Sequence, residues 1–576
     1  MMKQNLFEHE FKADVLIVGG GFAGMWAAIG ARQYAKNVLL IDKGPRDWGG
    51  LGTMSGGDFQ CVVRGVTEVK DALDDVVYYH DGLTDQEMIE KILTQSYERF
   101  EHYERLGNIF VRDENGQLKG IPQRGLKHMR LLLYRPYGQG GPNMNACLVR
   151  ELTRLGVRRI GRMCVTDIIT DKDSKAVSGA VGYHLQSGET FRCEAPAVVL
   201  ATGAGGWKPS YLMSSSTGQG AYLGFKAGAA LTQNEFLHIW NVPVMFGWEG
   251  QTGLLPLGAK FLNSEGEDFM AKYYSPALGS NTDTTYNCRG MAFEARAGRV
   301  PIYFDTTPLS KEAADLMRPV RGWALINFNR LQREEGVKFF GEKTMWMPQI
   351  MWHSGGLVTD TDCQTRIQGL YAACRCKATD PGVYMGGWAL CTTAVTGYIA
   401  GGAAAQSAGS RGLPAFDMDR AKAACDISMA PLGKTGISPK DIMREIQEII
   451  YPADVCLIKS EASLKNALER TLYVKQELAP RAAADDPRQL GKLHESLSML
   501  QATELFARAS LMRRESRAGH WREDFPERND DAWLKWIYAE KGQTGEPNLY
   551  TVPVPIGRYK IKPYRYYMDN FTFPKS

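Results

Sequence analysis

The 576-residue chain carries 11 cysteines but no Cys-x-x-Cys pair. Cys374 and Cys376 are one residue apart, with Cys391 downstream, a poor match to the spacings that hold zinc or iron–sulfur clusters. The cysteines therefore read as buried, reduced thiols, and no metal site is expected. Charge of one sign is also missing. Lys+Arg 68 against Asp+Glu 64 leaves +4, spread without long basic blocks, which argues against a nucleic-acid partner. No apolar run approaches the roughly 18 residues needed to span a bilayer, so the chain is not expected to cross a membrane by itself. The first apolar run ends in glycines where a secretory leader would have a small-residue cleavage site, so a cytoplasmic location is expected. Glycine, in contrast, is abundant, with 61 residues gathered in short clusters. A chain of this length exceeds one core of roughly 250–300 residues, and two or more packed units are expected.

The first glycine cluster lies in ADVLIVGGGFAGMWAAIGARQYAKNVLLIDKG. Ala13 to Val18 is a continuous apolar run of the kind buried on both faces of a parallel sheet. A helical pattern follows from about Ala23 to Tyr34, then a second buried strand from Asn37 to Ile41, ending at Asp42. Gly19-x-Gly21-x-x-Gly24 occupies the first strand-to-helix turn, and Asp42 stands 18 residues past the last glycine. Each part has a task in binding a dinucleotide. Gly19 permits the tight turn, Gly21 admits a pyrophosphate to the backbone, and Gly24 lets helix and strand pack closely. The helix N-terminus offers free N–H groups, and Asp42 can accept ribose hydroxyls.

The chain then departs from a simple βαβ repeat. Residues 64–160 read as helical and irregular, with an amphipathic stretch at TDQEMIEKILTQSYERFEHYERLG. Pro196 to Leu200 is a further apolar strand running into ATGAGG, and STGQGAYLGFKAGAAL opens another helix. Residues from about 232 to 350 read as an insertion, after which strands return and GGWALCTTAVTGYIAGGAAAQSA forms a small-residue helix. The expected fold is α/β: a Rossmann-like dinucleotide-binding domain split by an α+β capping domain, then a C-terminal helical domain. The expected boundaries are 1–231 and 351–417 for the nucleotide domain and 232–350 for the cap. Residues 418–545 are expected to form the helical domain, and 546–576 an extended, exposed tail rich in Tyr and Pro.

This arrangement resembles the flavoprotein subunits of the fumarate reductase and succinate dehydrogenase family, which includes adenylylsulfate reductase. VLIVGGGFAG with LIDKG, VVLATGAGG, GLYAAC followed by GGWA, and RRESRAGHWREDFPERNDDAWLKW (Arg513 to Trp536) carry the resemblance over nearly the whole chain. It implies FAD rather than NAD as cofactor. The contacts it implies are Gly19, Gly21, Phe22, Ala23, Gly24, Asp42 and Lys43 in the first unit, and Ser55, Gly56, Gly57 and Val165 beyond it. Ala201, Thr202, Gly203 and Gln219 follow the later strand, and Arg375, Gly387, Ala389 and Leu390 lie near the last glycine pair. Gln219 stands where the family's TGDG has an acid, and Arg375 where GLYAAGE has a glutamate. In the membrane branches FAD is attached to a histidine shortly after the second strand; GPRDWGGLGTMSGGDFQC has none, so non-covalent FAD is expected.

The family's dicarboxylate clamp is dismantled. Tyr384 in VYMGGWA replaces a carboxylate-binding arginine, Thr284 replaces the proton-donating arginine, and Trp240 replaces the WQFHP histidine. Simple succinate or fumarate chemistry is therefore not expected. The candidate catalytic residues are Tyr384, His353, Arg289 and His238, with Trp240, Trp388, Tyr286 and Trp352 as candidate pocket walls suited to a flat, less charged substrate. Burial in the core competes with substrate contact for each tryptophan, and an ion pair with Glu294 or Asp283 competes for Arg289. His520 reads as structural or partner-facing.

The leading expectation is an oxidoreductase that moves a hydride between flavin N5 and a substrate carbon, reducing or forming a C=C bond. With no cluster cysteines of its own, the chain is expected to exchange electrons with a ferredoxin-like iron–sulfur subunit in a hetero-oligomer, which the tail could wrap. Two alternatives stand beside it: a sulfur oxidoreductase of the adenylylsulfate reductase kind, working through a flavin N5–sulfite adduct, and a non-catalytic flavin-binding assembly subunit.

Overall fold

A computed structural model describes residues 7–574 except 119, 123–125, 137–138, 210–212, 245–251, 275–278, 321–339 and 544. Its centre is a five-stranded parallel sheet in the order Leu370–Ala372, Ala197–Leu200, Val15–Val18, Val38–Ile41, Arg158–Ile160. The three middle strands read VLIV, VLLI and AVVL and are buried at every position, as a sheet covered on both faces requires. The strand order reverses direction between Val15–Val18 and Ala197–Leu200. Such a switch point, beyond the carboxyl ends of the strands, is where open α/β sheets leave a crevice for ligands.

The helix Phe22–Ala31 follows the first strand and is buried along its whole length. One side packs on the sheet and the other on the long helix Trp388–Arg411. Both approaches need missing side chains. A Cβ on Gly24 would stand 1.8 Å from the Gly19 carbonyl oxygen, and one on Gly401 would stand 1.8 Å from the Ala27 carbonyl oxygen.

A second sheet, His9–Lys12, Thr190–Glu194, Val177–His184 and Met163–Thr170, lies beside the first. The cap is built on an antiparallel sheet ordered Leu237–Pro243, Lys343–His353, Ile302–Asp305, Lys260–Leu262, covered by the helix Thr284–Arg296. Asp283 caps that helix, its carboxylate accepting from the Thr285 N–H at 2.8 Å.

The C-terminal region is helical through Pro487–Met512, then turns to strands, where the sequence pattern read helix to about residue 540. Lys535–Lys541 and Pro547–Pro553 form a hairpin in which Ile537 and Ala539 are buried while Trp536 and Tyr538 are half-buried, a period-two alternation too short to outweigh the helical pattern before it. This hairpin pairs with Leu231–Thr232, which in turn pairs with Gly356–Leu357. These are the segments through which the chain enters and leaves the cap.

The Tyr-rich tail is anchored on the rest of the chain, although Tyr564 stays exposed. Tyr567 and Phe573 are buried, Phe571 stacks on Tyr286 at 4.0 Å, and Ile561 exchanges two hydrogen bonds with the Gln86 side chain. Its aromatic rings face the aromatic side of the cap helix, so they find apolar partners within the chain itself. All eleven cysteines are free and buried. Among the described residues no helix is long and apolar enough to cross a membrane, and no group of His, Cys, Asp or Glu side chains is placed to hold a metal ion.

Two expectations follow. Gly24→Ala forces its methyl onto the Gly19 carbonyl, so the variant should melt several degrees lower than the parent or accumulate as insoluble protein; an unchanged melting curve would refute the packing argument. Burial pushes His80, His102, His353 and His494 down to about 4 and lowers His238 and His520 too, so below pH 6.5 the unfolded chain binds protons that the folded chain does not. Stability should be full above about pH 6.5 and fall towards pH 4, with a slope of several protons in denaturant titrations.

Candidate active site

A cavity of about 550 Å³ opens at the carboxyl ends of Val15–Val18 and Ala197–Leu200, within the range of cofactor sites. Three helices begin at its wall without a side-chain cap: Phe22–Ala31 behind Gly21, Gln219–Lys226 behind Gly218, and Trp388–Arg411 behind Gly387. Each directs first-turn N–H groups and the positive end of its dipole towards the space. Around the position a Gly21 Cβ would take, the nearest atoms are the Gly49 and Gly50 backbone at 3.5–4.0 Å, so the backbone here is open to a ligand.

One end is shaped for a nucleotide. Asp42 sits at the end of the second strand, its carboxylate accepting from the Gly20 and Gly44 N–H groups, and burial raises its pKa. Lys43 donates to Gln219 Oε1 at 2.7 Å and to Glu495 Oε1 at 2.5 Å, and Lys208 pairs with the same glutamate. The neutral amide at 219 gives Lys43 a further acceptor beside the carboxylate that it shares with Lys208. Thr202 Oγ1 accepts from the Gly220 N–H at 2.9 Å, joining the strand turn to the second helix. Ser55, Gly56, Gly57, Val165, Ala201, Gly203, Ala389 and Leu390 also line the cavity, together with Phe22 and Ala23. Of the residues expected to touch FAD, Gly24 alone is away from the cavity, under the turn that it allows to close. These features fit FAD: open backbone N–H groups for the pyrophosphate, an acid for the ribose, and a long continuous space beyond. Among the described lining residues none is a histidine that could tether the cofactor.

The other end is aromatic and apolar. Trp240, Trp352 and Tyr384 line it with Met213 and Met351. Trp352 lies 6.0 Å from the Tyr384 ring, and its Nε1 has no partner. The Tyr384 backbone is clamped from both sides, its N–H donating to Asp283 at 3.0 Å and its carbonyl accepting from Tyr79 at 3.3 Å. Two of these walls carried no signal in the sequence, Met213 and Met351. Between the cap's two long strands His238 pairs with Trp352 and Ile239 with Ile350, so Met351 is an extra residue in the ladder. Such a bulge turns neighbouring side chains to one side, and Met351 and Trp352 both reach the cavity.

Five of the expected residues lie outside it. His353, next after Trp352, turns under Gly205, where its Nε2 meets the Asn234 carbonyl at 2.7 Å and its ring packs on Trp207. His238 is fully buried and bound through Nε2 to Asp380. Arg289 is buried among Tyr286, Trp521 and Phe573, its guanidinium 4.9–5.3 Å from the ring centres, and donates to the Ala518 carbonyl at 3.3 Å. The competing acids are engaged elsewhere, Glu294 with Arg299 and Asp283 with Tyr79, Thr285 and Tyr384. Tyr286 stacks on the tail, and Trp388 is fully buried in the first turn of its helix. His520 is buried and 2.9 Å from Lys459 Nζ, inside the C-terminal region rather than at its surface.

The charges that line the cavity are few, the acids Asp42 and Asp58 among them, and the acid behind each cation is shared, Glu495 with Lys208 and Asp380 with His238. Among the described residues its lining cations are Lys43 and Arg375, and each faces an acid: Glu495 for the lysine, Asp380 for the arginine. Among those residues, no pair of free guanidinium groups is positioned to clamp two carboxylates.

Comparison with known proteins agrees with this geometry. Residues 14–387 match the FAD binding domain family, and residues 443–566 match the fumarate reductase flavoprotein C-terminal family. One of the subunits of the fumarate reductase (CoM/CoB) of Methanothermobacter marburgensis is 27% identical, over 92% of this chain and 97% of that protein. The L-aspartate oxidase of Streptomyces coelicolor is 24% identical over 94% of each chain. Two solved structures share the fold: FrdA of E. coli quinol fumarate reductase, with TM-score 0.85 at 22% identity over 97% and 99% of the chains, and adenylylsulfate reductase from Archaeoglobus fulgidus, with TM-score 0.79 at 20% identity over 95% and 96%. The glycine turn, the acid at the second strand, the split nucleotide domain and the C-terminal motif thus converge, and the chain belongs to the FAD-dependent oxidoreductases of the fumarate reductase, succinate dehydrogenase and L-aspartate oxidase family.

Proposed function

We propose that this enzyme moves a hydride between flavin N5 and a carbon of a flat, largely apolar substrate that is not a C4 dicarboxylate, reducing or forming a C=C bond. The observation that carries this reading is the wall of Trp240, Met351, Trp352, Tyr384 and Met213 at one end of a cavity whose cations are already paired. Aromatic and thioether side chains bind planar apolar groups and gain little from a dianion. A dicarboxylate there would lose its hydration and meet, among the described residues, no pair of free guanidinium groups set to clamp its two ends.

Bound FAD supplies the hydride chemistry. The chain's residues orient the substrate and exclude water from it. Tyr384 is the proposed proton donor or acceptor, because its backbone is clamped on both sides and its ring stands at the aromatic end. Electrons must then enter or leave. With no metal-holding group among the described residues, the proposal assigns that exchange to an iron–sulfur partner protein.

Anaerobic assays with reduced methyl viologen as donor test the substrate class. Cyclohex-2-enone should be reduced while fumarate is turned over at least about a hundredfold more slowly; rapid fumarate reduction with no enone reduction would refute the reading. Tyr384→Phe should keep its FAD spectrum and lose about 10²–10⁴ in enone reduction, the usual range for removing a proton-transfer group. An unchanged rate would remove Tyr384 from that role.

A further inference from the structure

The ends of the cavity are chemically distinct, which fixes how a dinucleotide lies in it. The glycine turn and Asp42 take the pyrophosphate and ribose, so the flavin ring system extends towards the far end, where Trp352 and Arg375 stand. Arg375 is 9% exposed, and its guanidinium lies 4.7 Å above the Trp352 ring. One terminal nitrogen donates to Asp380, and Nε is buried without a partner. Asp380 is itself fully buried and does not line the cavity; it also receives His238 Nε2 and the Thr379 hydroxyl at 3.0 Å. The carboxylate thus lies behind the arginine and divides its charge between Arg375 and His238, while the guanidinium itself lines the ligand space beside Trp352. The uncapped start of Trp388–Arg411 reaches the same wall through Ala389 and Leu390, adding the positive end of a 24-residue helix.

We propose that Arg375, with this helix N-terminus, is a built-in counter-charge for the reduced cofactor, and that Asp380 and His238 are positioning residues that hold the guanidinium against Trp352. Reduction by two electrons with uptake of one proton leaves one net negative charge on the flavin ring system. A fixed cation in a water-poor site stabilises that charge more than the same cation would in water. The arginine therefore shifts the equilibrium towards reduced FAD before any substrate is present. This inference needs only FAD in the cavity, not the proposed substrate class, and its test contains no substrate, so either can fail without the other.

The measurement is an anaerobic, dye-equilibrated reduction of the purified holoprotein, comparing the parent with Arg375→Gln and Arg375→Lys. Arg375→Gln should shift the oxidised-to-reduced equilibrium at least tenfold towards the oxidised form, about 30 mV for a two-electron couple. Arg375→Lys, which keeps the charge, should stay within about threefold of the parent. A holoprotein Arg375→Gln with the parent's midpoint overturns the proposal. Should that variant purify without FAD, the lysine variant decides: a midpoint within threefold of the parent supports the counter-charge, and a tenfold shift refutes it.

Discussion

The structure rests on one close approach, the helix Phe22–Ala31 starting directly against the end of the strand Val15–Val18. A side chain on Gly24 would overlap the Gly19 carbonyl, so the turn closes only because that side chain is missing. The closure puts the helix N-terminus at the mouth of the crevice beyond the strand ends, and its other flank is then free to receive Trp388–Arg411, again through glycine and alanine. The second helix carries Gly387, Ala389 and Leu390 to the same cavity. Packing and ligand binding thus share one set of small residues.

That part of the fold was legible because its physics is local. Strands buried on both faces, a glycine turn and an acid at the next strand end all fall within about thirty residues, and each leaves a mark in composition. Val165, Gln219 and Arg375 became legible only through resemblance, since nothing local distinguishes them from other residues of their strand, helix start and short turn. The structure brings all three to the cavity.

The aromatic end was harder to read, for a geometric reason. In the run Met351-Trp352-His353 an imidazole is the conspicuous chemical group, and strand alternation gives no warning of a bulge. The extra residue in the ladder turns Met351 to the cavity beside Trp352 and leaves His353 to the Asn234 carbonyl. Arg289 and Tyr286 mislead in another way. Their partners, Trp521 in the C-terminal region and Phe571 and Phe573 in the tail, lie more than two hundred residues away, and the tail's polar, Tyr-rich composition suggests solvent exposure. Long-range burial of this kind leaves no periodicity to detect.

The hairpin Lys535–Pro553 pairs with Leu231–Thr232, the outgoing crossing into the cap, and that segment pairs with Gly356–Leu357, the returning one. Thr232 adds a side-chain bond to the Ile537 carbonyl at 2.9 Å. The two crossings are therefore not independent swivels but neighbouring threads of one woven band, with the C-terminal region as its third thread. The cap cannot rotate on one crossing alone without parting hydrogen bonds on the other. Its orientation over the cavity is in this way a property of the last forty residues of the chain as much as of the cap's own sequence.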